Sequence, residues 1–147
     1  MQLFLTPSHI IIATVVGFLV GSLWYSPFLF LKSWLTGEGV TIDQIPKHTK
    51  WYLLHINTYS LIAHGVIATM LALLFDLLGI RLFSTVVSLT LLLTLSLIVT
   101  TRFIDMLYTV RGKHYERGPQ IKFLVSSGYY LTVTLVMAST LYVVTWL

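Results

Sequence analysis

The sequence predicts an all-α integral membrane protein: a bundle of four transmembrane helices with a short interfacial segment after the first. Three observations predict it. Hydrophobic residues are 56% of the chain and charged residues 10%, against about 25% charged in a soluble domain. With a mean hydropathy of +0.87, a water-exposed surface cannot be made from this composition, so lipid is the solvent. Four apolar stretches, near 7–26, 52–78, 82–108 and 120–146, are each long enough to cross a hydrocarbon core of about 30 Å. The basic residues gather in the polar breaks between those stretches. At this length the chain forms one transmembrane domain, residues 1–147.

Helix one opens at Thr6-Pro7, an N-cap and first-position pair. Met1 to Ser8 hold no Lys or Arg and no small-x-small site follows, so the segment is expected to stay as an anchor. Ala13, Gly17 and Gly21 recur every fourth residue and contain a GxxxG. Such a face admits a close backbone, either within the same chain or across a homodimer seam. Trp24-Tyr25-Ser26-Pro27 closes the helix. Proline bars helical geometry in the residue before it, and the aromatics suit the headgroup boundary, as does Trp34. From Phe28 to Leu35 the chain is apolar but too short to span, with Lys32 reaching water. Gly37-Glu38-Gly39 breaks it, and Thr41 to Gln44 has capping-box spacing. Helices two and three, joined around Gly79-Ile80-Arg81, are expected to form an antiparallel hairpin. Helix four ends at Trp146.

Four spans put both termini on one side. The first and third connections share the other and hold Lys32, Lys47, Lys50, Arg111, Lys113, Arg117 and Lys122; the terminal side holds Arg81. Positive charge is retained in the cytoplasm. The expectation is therefore a multi-pass protein of the cytoplasmic (inner) membrane with N- and C-termini outside. These loops account for the net charge of +4, so no nucleic acid partner is expected. The expected partners are the lipid bilayer and either a homo-oligomer or a larger membrane complex.

Gly21-x-x-Trp24-Tyr25-Ser26-Pro27-x-x-Phe30-x-x-x-Trp34 resembles the signature of a small prokaryotic membrane family catalogued as domain of unknown function 1761. Tyr115-Glu116-Arg117, then Phe123-Leu124-x-x-x-Gly128-Tyr129-x-Leu131, resembles that family's last connection and last helix. Leu31 and Ser126 stand where that pattern carries glycine and asparagine. The resemblance implies a four-helix membrane protein and no particular activity.

His64 lies near the middle of helix two, with Asn57 and Ser60 on nearly the same face. Ionisable groups at that depth are candidates for function; the alternative is a neutral structural histidine bonded to a neighbouring helix. Arg102 and Asp105 are three apart on helix three and close enough to pair. Either they form an interfacial pair or they line a cavity open to the cytoplasm. Asn57, Ser60, Ser126, Ser127, Tyr129 and Tyr130 share that half of the membrane, so the pocket candidates are Asn57, Ser60, His64, Arg102 and Asp105. There is no cysteine, and no HExxH, GxSxG, Walker A or dinucleotide fingerprint occurs. No cofactor, metal site or catalytic residue is expected. The leading function is binding or transport of a small molecule or ion in a cytoplasm-facing polar pocket. The alternative is a structural or accessory subunit of a larger complex. A lipid-modifying enzyme using His64 or Asp105 as base is a third reading that no motif supports.

Overall fold

The computed structural model describes residues 4–44, 50–109 and 117–146. Lys47, Arg111, Lys113, Tyr115 and Glu116 lie outside them. Among the described residues every regular element is helical. The helices are α1 (Pro7–Trp24), α2 (Leu31–Glu38), α3 (Lys50–Leu77), α4 (Phe83–Tyr108) and α5 (Gly118–Trp146). Helices α1, α3, α4 and α5 are long and apolar enough to cross a membrane, and the chain is a multi-pass membrane protein. The outward faces carry exposed Ile11, Leu19, Met70 and Leu92, as a lipid solvent requires.

The chain leaves α1 where proline dictates. Tyr25 to Phe30 is a turn in which the Phe30 N–H reaches back to the Trp24 carbonyl at 3.0 Å. Helix α2 then packs along the start of α5, burying Leu35 and Gly37. Gly39 ends it in a left-handed cap, φ 70°. The capping-box spacing is used by a 3₁₀ turn over Ile42–Gln44. There Gln44 Oε1 accepts the Thr41 N–H at 2.9 Å.

Helix α5 is the hub: it packs against α1, α2, α3 and α4, while α3 also packs on α1. The expected hairpin differs in one respect. Helices α3 and α4 follow each other through a tight link but do not pack along their lengths. Helix α4 turns its buried Val86, Thr90 and Thr94 to α5 instead, and Thr94 and Thr134 share a 2.9 Å hydrogen bond. The link itself is pinned by buried Ile80 and by the Tyr142 hydroxyl, which donates to the Arg81 carbonyl.

The bundle is divided along its length. The apolar core, including Ala13, Ala68, Ala72, Phe75, Val133, Met137 and Leu141, fills the half nearer the termini. There Asp76 takes the N–H groups of Phe4 and Leu5 on its two oxygens at 3.0 and 2.9 Å. Phe4 stacks edge-on against Phe75. The other half, toward α2, is lined by aromatic and polar side chains. Most spanning-helix hydroxyls are satisfied by their own helix, as in Thr14 to Ile10 and Thr140 to Val136.

Candidate functional site

His64 is buried, 4% exposed, at the junction of α1, α3 and α5. Its Nδ1 lies 2.7 Å from the Ser60 carbonyl and its Nε2 2.8 Å from the Tyr129 hydroxyl. A carbonyl only accepts, so Nδ1 carries a proton and donates to Ser60, which leaves Nε2 to pair with the tyrosine hydroxyl. Phe18 meets the imidazole edge-on. A methyl group on Gly17 would lie 2.5 Å from Met137 Sδ and 2.9 Å from the His64 ring. One on Gly21 would lie 3.0 Å from the Tyr129 hydroxyl. The Ala13, Gly17, Gly21 face is therefore filled by α3 and α5 of the same chain, which seat the histidine and tyrosine against bare backbone.

Tyr129 brings the boundary motif to the last helix. Trp24 Nε1 donates to the Val125 carbonyl at 3.2 Å, and its indole lies over Gly128, where a methyl group would come within 3.1 Å. Tyr25 packs at 5.1 Å from the Tyr129 ring and has Ser126 as a side-chain hydrogen-bond partner. Trp34 closes on Tyr25 from α2. The first motif, 24–34, and the second, 123–131, are thus two halves of one contact.

Arg102 meets α5 at Tyr130, the residue after the partner of His64. Its guanidinium lies over the Tyr130 ring, 5.4 Å from the centroid, and donates to the Tyr130 hydroxyl at 3.2 Å. Two cavities meet at this side chain. A small one, ≈ 30 Å³, is lined by Gly37, Asp105, Lys122 and Ser126 among others; a wider one, ≈ 490 Å³, by Leu97, Ile98, Thr101, Asp105 and Tyr130. Arg102 and Asp105 line both but form no ion pair with each other; among the described residues the ion pair is Lys122 with Glu38, at 2.9 Å. The Arg102 head is aimed by a π-helical segment, Thr94–Val99, inside α4. In a regular α-helix Thr94 and Arg102 would lie about 80° apart. The wider π turn lets both face α5.

The five pocket candidates therefore do not share one cavity. His64 faces α1 and α5 and takes the Ser60 backbone carbonyl as a partner, whereas Arg102 and Asp105 line the cleft between α4 and α5. Asn57 is exposed, because residues 54–59 of α3 stand clear of the bundle. The path from His64 to Arg102 runs through the adjacent Tyr129 and Tyr130, whose rings are 5.1 Å apart. Sequence reasoning placed both tyrosines at the right depth but not as partners. Their adjacency to Gly128, where an indole can lie flat on the helix, was the available signal.

A family model described as Protein of unknown function (DUF1761) matches residues 8–142. No curated protein and no solved structure matches.

Proposed function

The chain belongs to the protein family of unknown function DUF1761, and from that premise we propose that it binds a small molecule bearing an anionic group in the Arg102 cleft. One observation carries this reading. A guanidinium on a membrane-spanning helix is held by a tyrosine rather than by a carboxylate, in a cleft with room beside it. An ionisable group within a spanning helix is a candidate for function. Cation–π contact and a single hydrogen bond orient the head and leave most of its donors for a ligand. Carboxylate and phosphate both match that fork.

The cleft lies in the half that carries α2, Lys32, Arg117 and Lys122, whereas Arg81 marks the other end. The charge distribution supports a cytoplasm-facing site in a prokaryotic cytoplasmic membrane, with termini outside. Glycerol 3-phosphate is a suitable probe. It is expected to raise the Tm of the purified protein, by linkage, and to leave the Tm of Arg102→Gln unmoved. Equal shifts in both proteins would remove the site. A stoichiometric protein partner after mild extraction, with no shift in either, would favour the accessory-subunit role.

A further inference from the structure

Resting on the Arg102 reading, we propose that the ligand is an ethanolamine-type phospholipid, its phosphate on Arg102, its ammonium on Asp105 and an acyl chain in the groove between α3 and α4. The groove exists because α3 and α4 do not pack together. Its walls are Met70, Leu71 and Leu74 on one side and Leu93, Leu97 and Ile98 on the other, enclosing ≈ 340 Å³. Leu97 and Ile98 also line the Arg102 cleft. Groove and cleft therefore join through these two side chains, apolar at one end and charged at the other.

Their order along α4 matches one kind of occupant. Groove, Arg102 and Asp105 succeed one another toward the helix end, with the Asp105 Cα about 4.5 Å beyond the Arg102 Cα along the axis. A phospholipid presents chain, phosphate and then head-group amine in the same order. An ethanolamine head carries N–H donors for the exposed Asp105 carboxylate; a choline head carries none. Thr90, Thr94 and Thr134 also line the groove, but Thr94 and Thr134 hydrogen-bond each other, so most of the wall an occupant meets is apolar.

Three probes separate the parts: phosphatidylethanolamine, phosphatidylglycerol with the same chains, and water-soluble glycerophosphoethanolamine. Binding to the full chain in detergent is counted by native mass spectrometry. The chain-bearing ethanolamine lipid is expected to bind at least about tenfold tighter than its head group alone. Met70→Trp and Val66→Trp change exposed residues of the groove wall; each is expected to bring the lipid down to head-group affinity. Asp105→Asn is expected to abolish the preference for ethanolamine over glycerol. Arg102→Gln should weaken all three ligands about tenfold. If Arg102→Gln weakens the head group but neither tryptophan affects the lipid, the groove assignment is wrong and the cleft stands. Equal affinity for the two lipids in the parent protein overturns the ammonium assignment. No effect of Arg102→Gln on any ligand overturns the cleft and this inference together.

Discussion

Tyr129 sits where three segments meet. It hydrogen-bonds His64, packs on Tyr25 and limits what Gly21 can carry. Its hydroxyl and the imidazole satisfy each other, so their energies are coupled. Tyr129→Phe leaves His64 Nε2 buried without a donor and is expected to cost about 1–3 kcal/mol. His64→Leu leaves the tyrosine hydroxyl in the same position. The double variant removes both polar ends, so its loss should be smaller than the sum of the single losses. Thermal melts of the four proteins in one detergent check this, and simple additivity would show that the bond contributes little. At this scale the sequence was half legible. A histidine in mid-span announces itself by depth, but its partner is chosen by tertiary packing. A tyrosine in an apolar helix looks the same whether it faces lipid or a neighbour.

The break between α1 and α2 was legible because Pro27 acts locally, through its own ring. The small-residue face of α1 was legible as a contact, though its partner was not. A pair of glycines tests the packing directly. Both Gly17 and Gly65 lie within helices, so propensity alone favours alanine at each by about 1 kcal/mol. A methyl group at Gly65 meets nothing closer than 3.8 Å, whereas at Gly17 it collides with Met137 and His64. Gly65→Ala is thus expected to hold or raise the Tm. Gly17→Ala should lower it through overpacking worth about 1–3 kcal/mol. Matching shifts for the two would mean that α1 is not seated this tightly. The π segment of α4 was not legible at all. Thr94 to Val99 reads like the apolar stretch before it, and the widening accompanies the fit of Thr94 and Arg102 to α5.

At the scale of the molecule, four spans could be counted from composition, but which helices touch could not. In lipid an apolar side chain is equally content against a neighbour or an acyl chain, so hydrophobic patterning does not mark the interior. The orientation expected from basic residues is open to a direct test, since the chain has no cysteine of its own. Arg117→Cys is expected to react with an impermeant thiol reagent from the cytoplasmic side and Arg81→Cys from the opposite side. The reverse pattern would invert the topology and turn the Arg102 cleft outward.

The central position of α5 bears on how the bundle comes to exist in a cell. Helices leave the ribosome in chain order, at about 5–20 residues per second, and α5 follows the other four. Until it arrives, α1 and α3 have each other, but α2 and α4 lack the surface they pack on. Until then the Arg102 guanidinium lacks the Tyr130 ring and hydroxyl that hold it. The contacts of α2 and α4 with the hub can form only once the helix carrying Tyr129 and Tyr130 has entered.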